Sequence, residues 1–156
     1  METVYIETTI VSYLTARPNR DLVVAAHQHL TREWWEARRH SFGLRISQAV
    51  ITEAAVGDVE YAKKRLEALV GIPLLDLTQE ALALSYALVH GGPLPPKATI
   101  DAIHIATATV HGVDYLLTWN CKHIANAAMR PAVLAVCRAH GFEPPVICTP
   151  EELMGV

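Results

Sequence analysis

The sequence predicts an α/β sandwich whose strands pair in parallel, and three observations carry that expectation. Short β-branched runs alternate with longer helical segments from one end of the chain to the other. The connections between successive strands are of helix length, which suits parallel pairing and not hairpins. No linker, low-complexity run or internal repeat divides the 156 residues, so the expectation is one domain over 1–156 with its own core.

The elements follow in order. Thr3–Ile6 alternates β-branched and aromatic residues and reads as a strand. Residues 21–39 are helical: Leu22, Val23, Ala26, Leu30, Trp34 and Ala37 recur at helical spacing, with Arg32, Glu33, Glu36, Arg38 and Arg39 mostly off that stripe. Residues 42–47, "FGLRIS", form a second strand. Ser47 is placed to cap the helix "QAVITEAAVG", which Gly57 ends. Asp58 caps the next helix, and Gly71 stops it. Residues 72–77, "IPLLDL", read as a third strand, at an edge because of Pro73. Thr78 caps "QEALALSYALVHGG", and "PLPPK" is a loop. Residues 98–112 are a long helix closed by Gly112, and "VDYLLT" is a fourth strand. A helix with Pro131 near its start follows, and "PPVICTP" is a last strand.

Composition narrows the function. At 51% hydrophobic the chain is globular and not disordered. No apolar stretch reaches the roughly 18 residues that cross a bilayer, so no membrane association is expected. "METVYIETTI" lacks a basic n-region and reads as a strand, not a signal peptide. The three cysteines form no CxxC pair, which points to reduced thiols in a cytoplasm and offers no zinc spacing. The net charge of −3 argues against a general nucleic-acid coat. A nuclease stays open, since a metal-holding carboxylate pocket concentrates negative charge. The eight glycines supply neither GxGxxG nor GxxxxGK[ST], which disfavours dinucleotide binding and Walker-type NTPase chemistry.

Sites in parallel sheets gather beyond the carboxyl ends of the strands. Glu7, followed by Thr8 and Thr9, comes directly after the first strand. Asn120 comes just after the fourth, in the polar cluster Thr118, Asn120, Lys122, His123 and Asn126. If these two strands are neighbours, Glu7 and Asn120 share one crevice. Glu53 is the only charge between Arg45 and Asp58, and Asp101 the only one between Lys97 and Asp114, histidines aside. A carboxylate isolated among Ala, Val and Ile needs compensation, and a divalent cation with oxygen ligands supplies it.

Each residue also has a plain structural role open to it. Glu7 can be an exposed strand end, and Glu53 a solvated helix face. Asp101 in a first helical turn is favoured by the dipole by about 0.3–1 kcal/mol. Asn120 can form an Asx-turn, and Thr8, Thr9 and Ser12 can cap or pad the next helix. His104, three residues after Asp101, is close enough to touch a phosphate, but fits a satisfied core or surface histidine better. Cys121 beside His123 is a weak pointer to a thiol nucleophile. Trp34, Trp35 and Trp119 suit a core or interface better than base stacking. Arg38, Arg39, Lys63, Lys64 and Arg65 read as solvated faces. The joint arrangement of Glu7, Glu53, Asp101 and the cluster after the fourth strand weighs towards a metal site.

Over nearly its whole length the sequence resembles the PIN-domain family, and within it the VapC-like toxins of type II toxin–antitoxin systems. "VYIETTIVSYL" is similar to the family's opening strand with its acid and hydroxyl pair. "ISQAVITEAAVGD" is similar to the helix carrying the second acid. "TIDAIHIATATVHGVDYLLTWNCKHIAN" resembles the longest signature, an acid followed by a strand ending in Thr-x-acid. The resemblance implies a three-layer α/β/α sandwich with a mostly parallel central sheet of about four to five strands. It also implies Mg²⁺- or Mn²⁺-dependent endoribonuclease activity, an RNA substrate, an antitoxin partner and a homodimer. Carried over, the site is Glu7, Glu53 and Asp101, with Asn120 where a fourth acid usually stands and Thr9 as the supporting hydroxyl. Glu7 is one methylene longer than the family's usual Asp. Asn120 removes a negative charge, which lowers the expected affinity for a second ion. That departure keeps a second reading alive, a catalytically silent module binding RNA or a protein, and behind it a DNA-directed nuclease.

Overall fold

The computed structural model describes residues 1–155. Its described residues form a three-layer α/β/α sandwich: a five-stranded, all-parallel sheet with helices on both faces. The strands are β1 (Thr3–Ile6), β2 (Gly43–Ser47), β3 (Leu74–Leu75), β4 (Tyr115–Leu117) and β5 (Val146–Cys148). The helices are α1 (Thr8–Thr15), α2 (Leu22–Ala37), α3 (Gln48–Ala54), α4 (Val59–Leu69), α5 (Gln79–Val89), α6 (Thr99–Val110) and α7 (Arg130–Ala139).

The sheet order is β3-β2-β1-β4-β5. The chain builds outward from β1 on one side and then crosses back to lay β4 on the other. β1 is the centre, with Tyr5 opposite Arg45 of β2 and Leu116 of β4. Covered on both faces, it has no polar side to alternate with, and Val4, Tyr5 and Ile6 are all fully buried. Around it, α1 packs against α2, α3 and α4, while α5 packs against α6 and α7. No helix among the described residues is long and apolar enough to cross a membrane.

Several local expectations hold. Asp58 accepts hydrogen bonds from the backbone of Glu60 and Tyr61 at the start of α4, and Thr78 caps α5 through Ala81 N. Gly71 and Gly112 stop their helices with φ of +83° and +67°, a region open to glycine and costly for other residues.

Three local expectations are corrected, and one unassigned segment gains an element. Residues 8–15 form a helix that starts at once after β1. Its sequence, "TTIVSYLT", is rich in β-branched residues, which masks it. Ser47 does not cap α3; its hydroxyl is bonded to Tyr5 instead. The third strand keeps only two residues, in line with its edge position beside Pro73. The buried face of α2 is Gln28, Thr31 and Trp34, while Leu22 and Val23 face solvent. Burying the two polar residues costs little because both are satisfied: Gln28 bonds Asn19 N and Arg17 O, and Thr31 bonds Trp119 Nε1.

Candidate metal centre

In a sheet of this order the crevice opens where the winding reverses, beyond the carboxyl ends of β1 and β4. Glu7 and Thr118 are the first residues past those two strands, and Glu7 N donates to Leu117 O at 3.1 Å. Glu7 also occupies the N-cap position of α1, in extended backbone, but its side chain does not cap the helix. It is 3% exposed and receives two hydroxyl hydrogen bonds on Oε1, from Thr9 at 2.5 Å and Thr118 at 2.6 Å. Burial pushes the Glu7 carboxyl above its ordinary value; the charge of His104 and the Thr118 and Thr9 hydrogen bonds pull it back without cancelling that.

The same hydroxyls tie the two crevice segments together. Thr9 Oγ1 accepts from Trp119 N at 2.8 Å, and Thr118 Oγ1 accepts from Asn120 N at 2.9 Å. The supporting role expected of Thr9 therefore has a geometry: one oxygen orients the acid and pins the loop after β4.

Glu53 arrives from the last turn of α3. Arg65 fixes that helix end by donating to the carbonyls of Ala54 and Val56. Glu53 Oε1 lies 2.6 Å from Thr8 Oγ1 and 2.6 Å from His104 Nε2. Burial raises the Glu53 carboxyl, but the hydrogen bonds from His104 and Thr8 and the charge of His104 outweigh it and hold it below its ordinary value. The opposite shifts of the two acids follow from their surroundings: Glu7 is sealed in, and Glu53 is half-buried with His104 and Thr8 hydrogen-bonded to it.

His104 is fully buried on α6. A carboxylate only accepts, so Nε2 carries the proton shared with Glu53. Nδ1 lies 2.7 Å from the Tyr5 hydroxyl, which lies 2.6 Å from Ser47 Oγ. Burial raises the Tyr5 phenol well above its ordinary value, with Ser47 opposing and Glu7 and Glu53 reinforcing. The phenol stays neutral, and a continuous chain runs Ser47, Tyr5, His104, Glu53, Thr8.

One donor atom from each of Glu7, Glu53 and His104 lies within 4.8 Å of the others, so this group could hold a metal ion. Asp101, one turn before His104 on α6, stands outside the group. Its Oδ1 accepts from Asn120 Nδ2 at 3.1 Å, and its Oδ2 lies 3.0 Å from His123 Nδ1. Asn120 Oδ1 is occupied by His123 N at 3.0 Å. Asn120 Oδ1 thus closes onto the backbone three residues on, not the two of an Asx-turn, and its amide nitrogen, not its carbonyl, faces Asp101. Among the described residues no Lys or Arg forms an ion pair with Glu7, Glu53 or Asp101.

Two carboxylates this close, one buried, with no Lys or Arg paired to them, are a donor set that a hard divalent cation compensates. Were His104 Nε2 to give up the proton it shares with Glu53, the imidazole would broaden the choice towards transition metals. His104 is the residue that sequence reasoning set aside as a core histidine. It is in the core, and it also belongs to the group. Its spacing from Asp101 was visible; its approach to Glu53 depends on how α3 and α6 cross. Cys121 is exposed, and burial of its sulfur together with Glu152 raises the thiol above its ordinary value, which does not favour a nucleophile. No family model and no curated protein matches this chain.

Proposed function

We propose that the chain is a metal-dependent endoribonuclease of the PIN-domain type, resembling the toxin of a type II toxin–antitoxin pair, and that it uses Mg²⁺ or Mn²⁺. The observation that carries this reading is the convergence of Glu7, just after β1, and Glu53, from α3, with donor atoms within 4.8 Å of one another at the carboxyl end of the sheet. Glu7 and Glu53 would hold the cation, with Asp101 binding it directly or through water. The bound ion would lower the pKa of a water and offset charge building on the phosphate during in-line displacement.

The chain's own residues prepare that chemistry. Thr9 and Thr118 fix Glu7 Oε1. Thr8 and His104 fix Glu53 Oε1. Asn120 and His123 orient the Asp101 carboxylate. Pre-set donors spare the reorganisation that loose ones would need at the moment of reaction.

A second reading, a silent module that binds RNA or protein, is favoured by one observation: Asn120 presents an N–H donor to Asp101 where an acid would present a ligand oxygen. Calorimetric titration of Mn²⁺ separates the two. The nuclease reading expects saturable binding that Glu7→Gln and Glu53→Gln abolish; heat indistinguishable from dilution in the unaltered protein defeats it.

A further inference from the structure

Beside the metal-binding group lies a cleft of about 230 Å³ between α3 and α6, closed on a third side by the segment after β3. Ala49, Leu77, Ile100 and Ile103 line it together with the polar Gln48, Thr52 and Thr107, and Glu53 lines it as well. Leu77 and Ile100 are 46% and 44% exposed, large aliphatic side chains with one face in water at the cleft edge. Thr107 is fully buried, yet its hydroxyl finds no hydrogen-bond partner among the described residues. A buried hydroxyl without a partner is uncommon in folded proteins and asks for an explanation.

We propose that this cleft is a nucleobase-binding site, taking the base of a nucleotide whose phosphate sits at the Glu7–Glu53 group. The inference rests on the nuclease reading above and names the part of the substrate that the cleft would recognise. Drug-sized ligands fill roughly 300–1,000 Å³; this cleft is smaller and suits a single ring system. Aliphatic walls exclude a phosphate or a sugar hydroxyl cluster but accept the flat face of a heterocycle. A base also carries ring-edge donors and acceptors, which an aliphatic side chain lacks, and those would pair the Thr107 hydroxyl. Glu53 belongs both to the cleft and to the metal-binding group, so a ligand in one lies next to a ligand in the other. A base joined to its phosphate through one sugar has that reach.

The test is a methyl-resonance NMR titration of the full chain with uridine, cytidine, adenosine, guanosine and, as control, ribose, all without metal. At least one nucleoside is expected to shift the methyls of Leu77, Ile100 and Ile103, and ribose none. Ala49→Leu, which narrows the cleft, should weaken that nucleoside about tenfold or more while leaving Mn²⁺ binding unchanged. Thr107→Val should alter the order of preference among the four nucleosides. No shift with any nucleoside overturns the base site, even where Mn²⁺ binds normally. Shifts with N-acetylleucinamide but with no nucleoside assign the cleft to a protein side chain and overturn it equally. If nucleosides bind and Mn²⁺ does not, the base site stands and the nuclease reading falls.

Discussion

His104 Nε2 lies 2.6 Å from Glu53 Oε1, and the ring that makes this contact is fully buried. The pair joins α6 to α3 through a charge-assisted hydrogen bond, the strong class of such bonds. Because His104 also meets Tyr5, removing it takes one hydrogen bond from buried Tyr5, which keeps Ser47, and one from half-buried Glu53, which keeps Thr8. His104→Ala is therefore expected to cost stability by about 0.5–3 kcal/mol for each bond lost. It should also weaken Mn²⁺ binding. Urea denaturation and calorimetry on the same preparation check both.

Glu7 is a carboxylate sealed in the crevice, and burial disfavours its charged form. Glu7→Gln keeps an oxygen for Thr9 and Thr118 to bond and removes the buried charge. Without metal, the variant should melt higher than the unaltered protein, by roughly 2–4 °C per kcal/mol gained in a chain of this size. With Mn²⁺ the order should reverse, because only the unaltered protein gains binding energy. Melting curves with EDTA and with saturating Mn²⁺ show whether the two lines cross. Parallel shifts in both proteins would remove Glu7 from the metal site.

Asp101 holds the second pair of contacts, to Asn120 and His123. Asp101→Asn is nearly isosteric and keeps an acceptor for one of them. It should leave the fold intact and lower Mg²⁺-dependent RNA cleavage on the order of 100-fold or more. A variant that cuts at full rate would show that Asp101 is structural.

Asn120→Asp introduces a fourth acid. Its oxygen can still accept from His123 N, but the donor to Asp101 is replaced by a like charge. The metal-free variant should lose stability, and Mn²⁺ should restore it with higher affinity than in the unaltered protein. Thermal melts across a Mn²⁺ series read both effects. A variant indifferent to the ion would confine Asn120 to its turn.

Asp114 gives the acid limb of stability. Hydrogen bonds from Thr3 N at 2.7 Å and Thr3 Oγ1 at 3.0 Å hold its carboxyl below the ordinary value. A carboxyl lowered by folding adds stability above its unfolded pKa, near 3.9. That contribution fades as pH falls through the lower folded value. Asp114→Asn should thus cost stability at pH 7, by less than about 1 kcal/mol for so exposed a group. The gap from the unaltered protein should close below about pH 4. Urea midpoints at pH 7 and pH 3.5 test the sign.

Much of this was legible in the residues. Period and punctuation located the strands, and the helix-length connections made the sheet parallel. The caps at Asp58 and Thr78 were readable because each side chain bonds backbone two or three residues on. The first acid stood out because it follows the first strand directly. What escaped depends on contacts between distant segments. Tyr5 looked like a strand residue and Thr118 like one of a polar cluster, and their hydroxyls gain meaning only when β1 and β4 lie side by side. The buried face of α2 was misplaced because Gln28 and Thr31 are polar, and only their partners in other segments make them interior.

The pairing of β1 with β4 sets residues 4–6 against residues 115–117. On a ribosome the first strand waits for β4 while the more than one hundred residues between them are made. Until Thr118 is translated, Glu7 lacks one of the two hydroxyls that orient it, and the crevice has only one wall. A crevice with both walls therefore exists only once two segments more than a hundred positions apart have both been made.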